Sequence, residues 1–169
     1  MKKYFLLILV CVFSFAAIHA EMTWDMSDDG TLTISGTEMK NVVPEKVPWN
    51  YQRDKIKKVI IENGVKNIGG NAFSNCSNLT SVTIPNSVTS IGYRAFYGCS
   101  SLTSLTIPNS VTSIEEGAFS CCSNLSSVIL SNSLTSIERE VFYDCYSLAS
   151  VTIPNSVLSI GYKSFSGCI

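Results

Sequence analysis

Apolar positions recur along most of this chain at fixed intervals. In SVTIPNSVTSI, residues 81 to 91, they fall at Val82, Ile84, Val88 and Ile91, with serine, threonine, proline and asparagine between them. The phrase returns 23 positions later as SLTIPNSVTSI (104 to 114), ten of eleven residues unchanged, and again as SVTIPNSVLSI (151 to 161). Five units of 23 residues align without a gap from 54 to 168. Leu79, Val82 and Ile84 have the spacing of a short parallel strand at the start of each unit, and neighbouring strands would lie roughly 4.8 Å apart. Pro85-Asn86-Ser87 predicts a turn, because proline presets its own φ and asparagine tolerates tight geometry. Val88 to Ile91 reads as a second extended piece. Gly92 to Cys99 then closes the unit as a single helical or 3-10 turn that buries Ala95 and Phe96.

Columns appear when the units are written beneath one another. Phe73, Phe96, Phe119, Phe142 and Phe165 share one; Cys76, Cys99, Cys122, Cys145 and Cys168 share another; Ile68, Ile91, Ile114, Ile137 and Ile160 a third. A single unit cannot bury its own apolar side, whereas stacked units bury a continuous core, each touching only its neighbours. The chain therefore reads as a solenoid. Its period lies within the range of about 20–29 residues that belongs to leucine-rich repeats, mostly short parallel strands with one turn per rung.

Upstream of the array, Thr23-Trp24-Asp25-Met26 and Thr31-Leu32-Thr33-Ile34-Ser35 flank Asp28-Asp29-Gly30. Asp-Gly between extended runs is a strong hairpin signal. Val43 to Tyr51 would cross from this hairpin to the first rung. Residues 21–53 thus read as an N-terminal β-hairpin cap and connection, with Trp24 and Trp49 as lids over the end of the core, and 54–169 as the array. The array reaches Ile169 without a capping segment after the last unit. That predicts an edge around Phe165 which is either exposed or meets something, and an open parallel edge invites pairing with another chain.

The first twenty residues form a different kind of segment. Lys2 and Lys3 precede an almost wholly apolar run from Phe5 to Ile18, and Ile18-His19-Ala20 supplies a small residue at a cut. This is the pattern of a secretory signal peptide cleaved after Ala20. The run falls short of the roughly 20 residues a membrane span needs, and no later apolar run is long enough to span either. Cys11 follows Val10, too large for a lipoprotein signal. Without residues 1–20 the chain keeps ten basic and thirteen acidic residues, a net charge of −3, with six cysteines and no histidine. That balance carries no nucleic-acid footprint.

The unit SLTSLTIPNSVTSIEEGAFSCC (101 to 122) resembles the BspA-type leucine-rich repeat, whose pattern is L-x-x-[VIL]-x-[IL]-P-x-x-[VL]-x-x-I-x-x-x-A-F-x-x-C. Seven or more of its positions recur together in all five units. The departures are few: Glu62 and Ser131 stand where the proline belongs, and Val141 and Ser164 where the alanine belongs. The resemblance implies a leucine-rich-repeat solenoid, often preceded by a tryptophan-containing hairpin. It also implies a secreted or cell-surface protein of a host-associated bacterium or a parasitic protist, of a family linked to adhesion and to binding host matrix proteins. Ligand-contacting residues are not a hallmark of that family, so only the class of activity carries over.

Candidate chemistry is sparse. Six cysteines in an exported chain commonly mean disulfides. Here five share an inward column whose rung spacing is wide for bridging, which favours buried free thiols behaving as small hydrophobes. A 23-residue spacing offers no C-x-x-C pair, and without histidine neither a zinc site nor another cofactor is expected. Cys121 shares its column with Asn75, Gly98, Asp144 and Gly167, turn residues, and reads as a surface thiol. The missing histidine also removes the commonest base for a serine or cysteine nucleophile. Glu115, Glu116, Glu138 and Glu140 cluster, but at variable turn positions that read as a solvated charged face. No enzyme is expected.

Two surfaces are candidates for a protein partner. Outward strand positions read Ser81 and Thr83, Ser104 and Thr106, Ser127 and Ile129, Ser150 and Thr152. Solenoids use such a face for binding, although serine and threonine also simply keep a β face soluble. The tyrosines Tyr93, Tyr97, Tyr143 and Tyr146, with Tyr162 in the column of Tyr93, suit partner contact or half-buried packing on the turn side. The leading expectation is an exported protein-binding module of adhesion or host-interaction type, its partner a host extracellular-matrix or surface protein. The alternative is a self-assembling repeat protein that stacks through its C-terminal edge.

Overall fold

The computed structural model of the chain describes residues 22–41 and 43–169. The signal segment read at 1–20, with Cys11 and His19, lies outside the described residues. Each rung has three sides. The strand side carries β3 (Lys58–Ile61), β5 (Ser81–Thr83), β7 (Ser104–Thr106) and β9 (Ser127–Ile129). A second side carries β4 (Asn67–Ile68), β6 (Ser90–Ile91), β8 (Ser113–Ile114), β10 (Ser136–Ile137) and β11 (Ser159–Ile160). Pairing is parallel and in register with the repeat: Val59 faces Val82, Ile68 faces Ile91, Ile91 faces Ile114 and Ile137 faces Ile160.

The third side, read as a single helical or 3-10 turn, contains the right local bond but no helix. In the second rung Ala95, Tyr97 and Cys99 each donate their N–H to the carbonyl three residues back. The alternate groups, Arg94, Phe96 and Gly98, donate instead to Glu116, Ala118 and Ser120 of the next rung, at 2.8–3.1 Å. Left-handed residues interrupt any helix: Arg94 has φ 49° and Gly98 φ 70°. The scheme recurs at Asn71, Phe73 and Asn75, at Gly117, Phe119 and Cys121, and at Glu140, Phe142 and Asp144, each trio donating to the rung that follows. Buried backbone groups are thereby paired, half within the rung and half between rungs, as burial requires.

Beneath this turn side runs the phenylalanine column. From Phe73 to Phe165 successive ring centroids are 5.1–5.7 Å apart, with interplanar angles of 7–22°. Phe73, Phe96, Phe119 and Phe142 are fully buried. The cysteine column lies beside them. Cys99, Cys122, Cys145 and Cys168 each direct the thiol at the carbonyl of the phenylalanine one rung earlier (Phe73, Phe96, Phe119 and Phe142) at 3.2–3.3 Å. The same four carbonyls already accept the N–H of the cysteine three residues on, so the thiol takes the second lone pair. All six described cysteines are free.

The strand ladders are interrupted where the sequence shows no change. β3 pairs with β5, and β7 with β9, but β5 and β7 do not pair, and residues 150–152 form no strand. On the second side the break falls elsewhere, between β8 and β10. The breaks are staggered, so wherever one side is open the turn side and at least one other contact hold the rungs together.

The hairpin before the array forms as expected, β1 (Thr23–Met26) antiparallel to β2 (Thr31–Ser35) around Gly30 at φ 87°. β2 then runs parallel to β3, Leu32 opposite Val59 and Ile34 opposite Ile61. Trp49 continues the phenylalanine column: it is buried, stacks on Phe73 at 5.6 Å, and its indole N–H donates to the Ala72 carbonyl at 2.9 Å. Trp24 lies edge-on to Trp49 at 6.2 Å and remains partly exposed. Two short 3-10 helices absent from the sequence expectation flank Trp49, Pro44–Lys46 before it and Asn50–Lys55 after it, the second running into the start of the array. Ser131, in place of the repeat's proline, is fully buried; its hydroxyl donates to the Val111 carbonyl and accepts from the Ser133 N–H.

Phe119→Ala, with rings on both faces removed from contact, should destabilise the fold by about 3–5 kcal/mol in urea titration; a cost near zero would refute the stacked column. Burial pushes the Cys76 and Cys145 thiols up to about 12 and raises Cys99 and Cys122 well above the ordinary range. An unfolded chain loses these protons first, from pH about 8.5 upward. Stability should therefore fall between pH 9 and 12, by about 1.4 kcal/mol per pH unit for each buried thiol. Thiol titration of the native protein near pH 8 should register Cys121 and Cys168, the partly exposed pair, and leave the other four unreacted until denaturant is added.

Candidate binding faces

On the strand side, alternation sends Val82, Leu105 and Val128 toward the core and leaves Ser81, Thr83, Ser104, Thr106, Ser127 and Ile129 exposed. The hydroxyls of the molecule divide into two groups. Thr80, Thr89, Thr112 and Ser126 donate to carbonyls of the preceding rung and serve the stacking. The five hydroxyls of the outward strand positions make no hydrogen bond among the described residues and face solvent. Ile129 breaks the hydroxyl pattern with 60% of its surface exposed. It borders a shallow groove of about 550 Å³ along the seam where β5 and β7 fail to pair, lined also by Thr83, Thr106, Ile107, Asn109 and Leu130. Ser150 and Thr152 are exposed, yet without a strand beneath them they do not extend the face as a regular ladder.

The tyrosines lie on the turn side, so the sequence candidates do not converge on one site. Tyr93 and Tyr146 are exposed, and Tyr97 and Tyr143 half-buried. Asp144 beside Tyr146 raises that phenol, by its charge first and by a hydrogen bond as well. The Tyr97 phenol is raised chiefly by its hydrogen bond with the Cys121 thiol. Cys121 is thus partly covered rather than fully on the surface, and it occupies a left-handed position, φ 61°.

Basic side chains cover several of these rings, which the sequence did not reveal. The Arg94 guanidinium sits 5.0 Å from the Tyr93 ring centroid and 5.3 Å from that of Tyr97. Lys163 Nζ sits 5.9 Å from Tyr143 and 5.3 Å from Tyr162. The only available sequence signal was an adjacency, Tyr93-Arg94 and Tyr162-Lys163 at equivalent positions of two units. The four clustered glutamates have structural partners. Glu115 accepts the Tyr93 N–H at 2.8 Å, Glu138 accepts the Ser136 hydroxyl, and Glu116 and Glu140 share Arg139 at 3.8 and 3.0 Å.

Among curated proteins, none matches the chain's sequence. A leucine-rich-repeat protein of T. pallidum shares the fold: TM-score 0.61 at 21% identity, over 90% of this chain and 88% of that one. A leucine-rich cell surface protein of Faecalibacterium prausnitzii A2-165 is similar at 26% identity and TM-score 0.57, over 94% of this chain and 53% of its own length. A leucine-rich-repeat protein of Bacteroides ovatus is similar at 27% identity and TM-score 0.56, over 86% of this chain and 49% of its own. This chain therefore spans about half the length of those last two proteins. The family model for the BspA type leucine-rich repeat region matches residues 50–169 in six copies. With that match over the stacked rungs themselves, the chain belongs to the BspA-type leucine-rich repeat family.

Proposed function

We propose that this chain is an exported, non-enzymatic protein-binding module that acts at a cell surface or in the surrounding medium, in adhesion or contact with a host. The observation that carries the reading is the outward strand face. Its five hydroxyls can donate and accept and have no partner among the described residues, and the exposed Ile129 beside the groove adds an apolar anchor that solubility alone does not require. Export rests on the basic and apolar pattern of residues 1–20 and on the similarity to a cell surface protein of F. prausnitzii. The clustered carboxylates are engaged in positioning neighbouring groups, which argues for scaffold over catalyst.

Surface plasmon resonance against a panel of purified extracellular-matrix proteins tests the reading. Saturable binding to at least one is expected. Ile129→Asp should weaken it at least tenfold without changing the melting temperature, since the side chain is mostly outside the core. A folded protein that binds nothing in the panel, or an Ile129→Asp variant that binds as well as the original, would count against the strand face.

A second reading draws on the last rung, where Leu158 is 85%, Ile160 54% and Tyr162 66% exposed and Phe165 has a ring neighbour on one side only. Another copy of the chain stacked there would cover this apolar surface. Light scattering from micromolar to millimolar concentration decides: a mass that stays at one chain throughout removes the reading.

A further inference from the structure

We infer that the turn side carries a second recognition surface, built from two tyrosine-clamped cations, and that it takes a protein segment bearing two separated carboxylates. The inference rests on the reading of the chain as a protein-binding module and adds the chemistry of the partner.

Arg94 lies between Tyr93 and Tyr97, and Lys163 between Tyr143 and Tyr162. Neither cation has an ion pair among the described residues, whereas Arg139, between them along the axis and 5.7 Å from the same Tyr162 ring, is held by Glu116 and Glu140. Face contact with an aromatic ring orients a cation without neutralising it. Each clamp therefore presents a positive group of restricted freedom, flanked by phenols. Tyrosine and arginine are the residue types that most often anchor protein partners, and side chains already ordered lose less entropy on binding.

The backbone supplies an independent argument. Arg94, Glu140 and Lys163 share one column of the repeat with Asn71 and Gly117, and all five are left-handed: φ 49°, 56°, 56°, 59° and 65° respectively. Glycine adopts this conformation freely and asparagine tolerates it, but arginine, glutamate and lysine rarely do. Only the third rung uses the unstrained residue. The turn imposes left-handed backbone in every rung, as it also does at Asn75, Gly98, Cys121, Asp144 and Gly167, yet three rungs keep a charged residue where glycine would be unstrained, and strain retained in this way is a feature of functional sites.

Charge order along the face selects the partner. Positive groups stand at the second and fifth rungs, roughly 15 Å apart at the spacing of stacked strands. Between them lie four glutamates, Glu115, Glu116, Glu138 and Glu140, with a single arginine, Arg139. A uniformly charged polyanion would meet those glutamates in the middle of its contact. A peptide with two carboxylates and neutral residues between them would not. In an extended chain, at about 3.3 Å per residue, glutamates four positions apart span about 13 Å, within the reach of the arginine and lysine side chains.

The test uses a fluorescein-labelled nonapeptide, Gly-Ser-Glu-Ser-Thr-Ser-Glu-Ser-Gly, in fluorescence anisotropy at low salt, with its glutamine-for-glutamate form and a heparin octasaccharide as further arms. The expected result is saturable binding of the glutamate peptide, at least tenfold tighter than the glutamine form. The double variant Arg94→Gly, Lys163→Gly should lose that binding at least tenfold while its melting temperature holds or rises, because glycine relieves the left-handed strain. That readout separates lost recognition from lost folding. Absence of peptide binding, equal binding by the double variant, or heparin binding tighter than the peptide and lost in the same variant would each overturn the inference. Matrix-protein binding through the strand face should persist in the double variant, so failure of the peptide arm overturns this inference and leaves the protein-binding reading standing.

Discussion

Stacking at an offset of 23 residues is the constraint on which the rest of this molecule depends. It is enforced most continuously on the turn side, where three backbone N–H groups of each rung bond to the carbonyls of the next while the phenylalanine rings stack beneath them. The two layers demand the same register. A rung that slipped by one residue would unpair the turn ladder and remove its phenylalanine from the column together. Trp49 enters that column ahead of Phe73 and closes it at the N-terminal end, and the cysteine thiols tie each rung to the phenylalanine carbonyl of the one before.

Because the turn side is held so evenly, the other two sides can be irregular. The strand side opens between β5 and β7 and the second side between β8 and β10, never both at one junction. The groove beside Ile129 borders the first opening. In this solenoid, then, departures from regularity are tolerated on the side where solvent-facing hydroxyls and one exposed isoleucine are displayed, and they are excluded from the side that maintains register.

The turn side also carries the charged columns: Arg94, Arg139 and Lys163 are mounted on backbone segments bonded to the next or the preceding rung. The columns that repeat build the stack, and the columns that vary between units, such as that of Tyr93, Glu116, Arg139 and Tyr162, lie where the backbone is bonded within and between rungs.

Much of this was determined by the amino-acid sequence. A period of 23 with invariant phenylalanine, cysteine and isoleucine columns admits one economical solution, since identical units can bury identical faces only by stacking. The Asp-Gly hairpin signal was local, and local chemistry was enough to place it. What the tertiary structure decided is of another kind. Ser131 looked like a lost proline and is a buried hydrogen-bonding residue, because its partner, Val111, is 20 residues away. Thr80 and Thr83 look alike in sequence, yet one hydroxyl is spent on the preceding rung and the other is free. The seam between β5 and β7, the cation between two tyrosines and the left-handed charged column all depend on distances between rungs. Periodicity shows which residues recur. Only the stacked backbone shows which groups meet across the interval, because hydrogen bonds and ring contacts are set by separations of a few ångströms that the chain order does not encode.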